Sequence, residues 1–431
     1  MIKKRMKNDE IARVISFTLL MVAALLLASI TPTYAYDVVV PGDQDDDLIV
    51  SDEELEVAEE SYDEGDITEV ELEKIQNIHD NYPRTIVDSA DREVTFYKPV
   101  ERIITRAPDN CRLVIALGDG DKIVASEQAV KSCLCPTTFG AFDEGCLECY
   151  QTILDGRMPD LPEISTRYDI YYELIASLNP DVIITSNTAD AQEFEDKVGC
   201  PCVVAEGDGW IYNYDDGLYG RIEVVGAVLD REEEAKELIS FVESKINMIK
   251  SVTDNQDESE KPKVYFAPRG AKLGFYDPKE GRDFTRTFTE YDPMVIAGGK
   301  NVAEGAEGYE INVAVEQIIA WDPDYIFVSC SNADDREVID WIMESPDLQT
   351  IAAVQTGNVY NCFYPHCRGR PPDRSLFNMI YMAKVLYPEE LGDVDLEVEG
   401  NEIFEAFLGV DGVFTEYVDY LVWPREYLNS Q

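Results

Sequence analysis

The stretch "SCLCPTTFGAFDEGCLECY" places Cys133, Cys135, Cys146 and Cys149 within seventeen residues. Two close thiol pairs on a short spacer suit three chemistries. Four thiolates bind zinc or iron tetrahedrally, paired thiols carry electrons, and disulfides staple a loop. A bond within Cys133–Leu134–Cys135 would be strained by its short span, so a staple would join one of that pair to Cys146 or Cys149. Zinc ribbons use two C-x2-C knuckles, whereas the first pair here is C-x-C. Of the remaining cysteines, Cys200 and Cys202 ("CPC"), and Cys362 with Cys367, are candidates for further bridges. Cys111 and Cys330 read as buried free thiols.

A second constellation lies in residues 37–80, which hold eighteen Asp or Glu and one Lys, a linker-like composition. In "DQDDDLIVSDEE", Asp43, Asp45, Asp47, Ile49, Ser51 and Glu54 fall at positions 1, 3, 5, 7, 9 and 12 of a twelve-residue loop. That is the ligand spacing of an EF-hand or dockerin calcium loop, with "EELEVAEESY" as its exit helix. Position 6 is Leu48, where the sharp turn asks for glycine. A calcium loop and a plain acidic linker both remain open on this pattern.

Compartment decides among the cysteine chemistries. Lys3, Lys4, Arg5 and Lys7 precede the apolar run "VISFTLLMVAALLLASI" and small residues near Ala35. This reads as a secretory signal over 1–35, with an uncleaved membrane anchor as the alternative. The chain is therefore expected outside the cytoplasmic membrane, where ten cysteines favour disulfides. A net charge of −50 over 431 residues excludes nucleic acid and anionic lipid as partners.

The body shows an internal duplication. "YELIASLNPDVIITS" (172–186) aligns without gaps on "VEQIIAWDPDYIFVS" (315–329). Each is a helix stopped by Asn-Pro or Asp-Pro and followed by a continuous apolar strand, as a parallel sheet covered on both faces requires. Glu173 and Glu316 occupy matching positions. Between the copies, residues 220–252 carry apolar side chains at helical spacing, with Leu238, Phe241, Val242, Ile246 and Ile249 in one stripe. One long helix between two α/β lobes of one architecture is the expectation.

With "TIVDSADREVTFYKPVERIIT", "AGGKNVAEG" and "VQTGNVYNCFYP" added to the duplicated pair, the chain from Arg84 onward resembles a class III (cluster A) periplasmic-type substrate-binding protein. That family serves ABC importers of ferric siderophores, haem and vitamin B12. The acidic arm ahead of such a body resembles secreted archaeal proteins. The resemblance implies an α/β fold: two Rossmann-like lobes with parallel sheets, joined by a single long helix, with the ligand cleft between them. The expected layout is signal peptide 1–35, acidic arm 36–83, N-terminal lobe 84–219, linking helix 220–252, acidic loop 253–261 and C-terminal lobe 262–431. It also implies that Glu173 and Glu316 dock into arginine pockets of a permease dimer, and that the receptor is a non-enzymatic monomer.

Ligands of open α/β sheets sit beyond the C-terminal ends of the strands. In the N-terminal lobe this selects Arg106, Asp109, Asn110, Glu127, Trp210 and Tyr212; in the C-terminal lobe, Arg269, Tyr276, His366, Arg368 and Arg370. Arginines grip carboxylates and aromatics give flat apolar walls. With only His79 and His366, naked zinc or manganese is disfavoured. The expected cargo is a chelated iron or cobalt: ferric siderophore, haem or corrinoid. No cofactor is required, and calcium in the arm stays open. Two other classes stay open: a secreted redox protein built on the Cys133–Cys149 cluster, and a calcium-dependent surface scaffold.

Overall fold

Ser51 and Thr68 decide the fate of the acidic arm. Each accepts the amide of the residue three on, and Glu54 and Glu71 return a bond to the cap amide. The two capping boxes start α1 (Asp52–Glu64) and α2 (Glu69–Asn81), and Gly65 ends α1 in the left-handed conformation. The computed structural model describes residues 38–134, 151–166, 169–206, 217–268, 284–330, 336–363 and 370–417. Ala58, Ile75 and Ile78 bury with Val40, Val50 and Tyr82 in the apolar cluster that continues into the body. Residues 52–81 are thus a docked helical hairpin, which corrects the linker expectation. Composition misled because most of the acidic side chains are exposed, leaving a thin apolar stripe to do the docking. His79 ties the hairpin ends together, with Nε2 2.9 Å from Asp52 and Nδ1 2.8 Å from Asp80.

An antiparallel hairpin follows, β1 (Arg84–Val87) with β2 (Glu93–Phe96). The N-terminal lobe then runs β3 (Ile103–Thr105), α3 (Pro108–Ala116), β4 (Ile123–Ser126), α4 (Tyr172–Leu178), β5 (Val182–Thr185), α5 (Thr188–Val198) and β6 (Cys202–Val204). Its sheet is parallel in the order β4-β3-β5-β6. The connection is α6 (Tyr219–Leu229) and α7 (Glu232–Thr253). Residues 220–252 are therefore not one continuous helix: Asp230 takes φ 55° and breaks them. The long joining rod is α7, 22 residues and ~33 Å at 1.5 Å per residue. Leu238, Val242, Ile246 and Ile249 bury along it, and Phe241 is half-buried beneath the Lys245 ammonium.

In the C-terminal lobe come β7 (Lys263–Ala267), β8 (Arg286–Phe288), β9 (Lys300–Asn301), β10 (Glu310–Asn312), α8 (Val315–Trp321), β11 (Tyr325–Cys330), β12 (Val359–Phe363), α9 (Pro372–Leu386) and α10 (Leu396–Leu408). The parallel order is β12-β11-β7-β9, while β8 and β10 pair apart and antiparallel. Laid side by side, the two sheets correspond strand for strand: β3 with β7, β4 with β9, β5 with β11 and β6 with β12.

The duplication extends to individual bonds. Asn179 and Asp322 stop α4 and α8 in the left-handed conformation, at φ 45° and 48°. Two residues on, Asp181 accepts the Arg102 amide at 2.9 Å and Asp324 accepts the Lys263 amide at 2.8 Å. The side chains of Arg102 and Lys263 reach back to the carbonyls at the ends of α4 and α8. The Pro-Asp of each copy thus fixes where the neighbouring strand, β3 or β7, begins. Gly298 in "AGGK" has φ 85°, and a Cβ there would lie 2.5 Å from the Tyr387 ring, so only glycine fits.

Cys111, Cys200, Cys202 and Cys362 are buried free thiols. This corrects the bridges expected of Cys200, Cys202 and Cys362. Cys202 and Cys362 are packed inside β6 and β12, and Cys200 donates to the Pro180 carbonyl at 3.3 Å. Burial pushes the Cys111 thiol up to about 12 and raises those of Cys200, Cys202 and Cys362 well above their usual range.

Candidate ligand-binding site between the lobes

Two helices open towards each other beyond the C-terminal ends of β3 and β12. α3 starts Pro108-Asp109 and α9 starts Pro372-Asp373, and neither has a side-chain cap. Proline needs no amide partner at a helix start, and the aspartate in the first turn complements the helix dipole. The lobes exchange bonds here reciprocally. Arg112 Nε of α3 donates to Asp373 Oδ2 at 3.2 Å, and the Arg370 amide donates to Asp109 Oδ2 at 2.6 Å. The side chains of Arg112 and Asp373 are both fully buried.

Further charges converge on this junction. Arg221 of α6 brings Nη2 to 3.6 Å from Asp109 Oδ2, and Arg112 Nη1 lies 3.6 Å from Asp109 Oδ1. Arg374 is buried in the first turn of α9. Nε and Nη2 of Arg221 are buried without a hydrogen-bond partner, as are Oδ1 of Asp109, Asn110 and Asp373. At the end of β6, burial pushes the Glu206 carboxyl up while Arg221 and Arg370 pull it back. Burial, reinforced by Glu290 and opposed by Arg370, raises Asp292 to about 6.

The expected ligand residues divide into three groups. Asp109, Asn110 and Arg370 lie at the junction, with Asn110 Nδ2 3.4 Å from Ser186 Oγ. Arg106 is paired with Asp190 at 2.5 Å and lies over the Phe194 ring, while its Nε is buried without a hydrogen-bond partner. Glu127 is buried at the end of β4, its amide bonded to Thr105. Trp210, Tyr212, Arg269, Tyr276, His366 and Arg368 fall outside the described residues, as do Cys135, Cys146, Cys149 and the 1–35 segment. For Cys133 only its place in the helix Gln128–Leu134 is described.

Sequence reading missed Arg112, Arg221, Asp373, Arg374 and Glu206. A signal existed for some of them: "PDNCR" and "PPDR" each set Pro-Asp and an arginine just beyond a strand. Nothing along the chain marks Arg221, which reaches the junction from a third helix. Beside the junction a cavity of about 970 Å³ lies between the β1–β2 hairpin and α6, lined by Arg84, Ser89, Asp91, Thr188, Glu206 and Glu223 among others. Glu206 belongs to both features.

In the arm, one carboxylate oxygen from each of Asp43, Asp45 and Asp47 lies within 4.8 Å of the others. Leu48 takes φ 70°, the left-handed turn for which glycine is the usual residue. Asp43 accepts the Asp45, Asp46 and Leu48 amides, Asp47 accepts that of Ile49, and Glu54 accepts those of Gln44 and Ser51. Ile49 is exposed. The nearby charge of Asp47 raises Asp45, and the amide bonds lower Glu54. Glu173 and Glu316 are both exposed, each at the second position of a seven-residue helix. Among the described residues no helix is long and apolar enough to cross a membrane.

A family model described as periplasmic binding protein matches residues 103–363. The molybdate-binding protein MolA of Haemophilus influenzae is 23% identical over 345 residues, covering 75% of this chain and 90% of its own. Its molybdate-bound crystal structure superposes with a TM-score of 0.58 at 19% identity, covering 76% and 98% of the two chains. The TroA-like FepB of Veillonella parvula gives 0.60 at 20% identity, covering 76% and 97%. An Fe(3+)-citrate-binding protein of Bacillus subtilis is 24% identical over 213 residues, 48% of this chain and 61% of its own. The matched segment holds both duplicated sheets, from β3 to the end of β12. The chain belongs to the periplasmic binding protein family, the extracytoplasmic substrate receptors of ABC transporters.

Proposed function

We propose that this receptor captures a small anionic solute, foremost a carboxylate-chelated ferric ion, and delivers it to the permease of an ABC importer without transforming it. The observation that carries this reading is Arg221, whose buried Nε and Nη2 have no acceptor while its guanidinium lies beside the interlobe junction. Buried guanidinium N–H groups without a hydrogen-bond acceptor are costly, and an anion arriving in the cleft supplies one. Among the chelates that the sequence suggests, the charged junction favours an anionic ferric complex over haem or a corrinoid, whose faces call for apolar walls. An oxyanion such as molybdate is the second reading, supported by the molybdate-binding relative.

Glu173 and Glu316 are assigned to permease docking on their exposure and their equivalent places in the two lobes. The test of the cargo is isothermal titration of the purified protein with ferric citrate, molybdate, haemin and cyanocobalamin. Binding of ferric citrate or molybdate is expected. Tighter binding of haemin or cyanocobalamin than of either anion would remove the anionic reading.

A further inference from the structure

Resting on the anion reading, we infer that the ligand must also donate hydrogen bonds to Asp109 and Asp373, so that protonated oxyanions and hydroxy acids are selected and fully ionised oxyanions rejected. The junction has two kinds of unmet need. Arg221 requires acceptors at Nε and Nη2, whereas Oδ1 of Asp109, Asn110 and Asp373 requires donors. Asp109 is 4% exposed, and Asn110 and Asp373 are 0% exposed. Arg112 does not meet the second need at Asp109, because its Nη1 is 3.6 Å from Asp109 Oδ1, beyond hydrogen-bond reach. Its Nε is directed instead to Asp373 Oδ2.

The charges of Arg112, Arg221, Asp109 and Asp373 cancel formally. Net charge therefore does not select the cargo; the placement of single atoms does. A ligand made only of acceptor oxygens would satisfy Arg221 while setting lone pairs against the two buried carboxylates. One bearing a hydroxyl or a retained proton satisfies both sides at once. Buried polar groups left unpaired by the wrong ligand are the strongest source of rejection available to a binding site.

The experiment is isothermal titration at pH 7 with phosphate and citrate, which carry a donor, against molybdate and sulfate, which do not. Ferric citrate is run in parallel. Phosphate or citrate is expected to bind at least about 10-fold more tightly than either ionised oxyanion. Asp109→Asn and Asp373→Asn, which turn an acceptor into a possible donor, are expected to narrow that gap. Molybdate or sulfate binding as tightly as the donor-bearing probes overturns the inference and leaves the anion reading intact. No binding by any of the four also overturns it; the anion reading then survives if ferric citrate binds and falls if it does not. The wild-type panel decides the matter even if the variants fail to fold.

Discussion

Arg112 of α3 and Asp373 of α9, 261 residues apart in the chain, meet across the two lobes at 3.2 Å with both side chains fully buried. Removing one partner of such a pair strands a charge in a dry interior, whereas replacing both with apolar residues of similar volume does not. Arg112→Met alone is expected to cost about 3–5 kcal/mol in urea unfolding. The double variant Arg112→Met, Asp373→Leu should recover most of that loss. A double variant as unstable as the single one would show that the pair is not the source.

Arg221 presents the opposite case, with buried donors that no acceptor meets. Arg221→Met is expected to leave the melting temperature of the ligand-free protein unchanged or higher. It should also abolish the rise in melting temperature that ferric citrate produces. An undiminished ferric citrate shift would remove Arg221 from the site.

Glu173 and Glu316 are exposed and occupy equivalent places in the two lobes. Reversing both to lysine should abolish ligand uptake in cells or proteoliposomes carrying the cognate permease, with affinity in solution unchanged. Single reversals are expected to have partial effects. Normal transport by the double variant would refute the docking assignment.

The arm should loosen as pH rises. Hydrogen bonds that the imidazolium donates to Asp80 and then to Asp52 raise the His79 pKa above its usual 6.5. A raised folded value means that the bonds to imidazolium stabilise fully below pH 6.5 and fade as pH climbs through the folded pKa. Amide exchange in residues 52–81 should therefore quicken above pH 6.5 beyond the intrinsic base-catalysed increase. His79→Gln should remove the excess; an identical excess in that variant would exclude the imidazole as its cause.

Asp292 should impose a slope of its own. Its carboxyl rises from 3.8 to about 6, so its contribution to stability is present below pH 3.8 and lost as pH rises through 6. Asp292→Asn is expected to raise the melting temperature at pH 7.5 and leave it unchanged at pH 3.5. Equal effects at both values would point to packing.

The duplicated segments made the architecture legible in advance, because their period, their Asn-Pro or Asp-Pro stops and their apolar strands are properties of the chain itself. Even the aspartate after each proline has a local job, holding the start of β3 or β7. The arm was harder, since a hairpin docked through Ile75 and Ile78 has little apolar sequence to show. The junction was legible only in part. Asp109 and Asn110 follow β3 directly, so the strand-end position selects them, and it selects Arg106 as well, which pairs with Asp190. Arg221 and the Arg112–Asp373 pair depend on packing between segments far apart in the chain, which no local pattern encodes.

The rod between the lobes has a mechanical consequence. At its start, Arg231 is tied to Asp119, while Asp230 receives Tyr82 and Arg84. Midway, Lys245 is clamped by Glu399 and Glu402 of α10, a helix that packs on both α3 and α9. A beam fixed at two points and braced by a strut does not swing as a jaw. A receptor braced in this way is expected to keep a set aperture, accepting cargo that fits the gap and refusing what would need the gap to widen. An importer served by such a receptor would have to sense occupancy through a slight tilt or a change of charge rather than through wholesale closure.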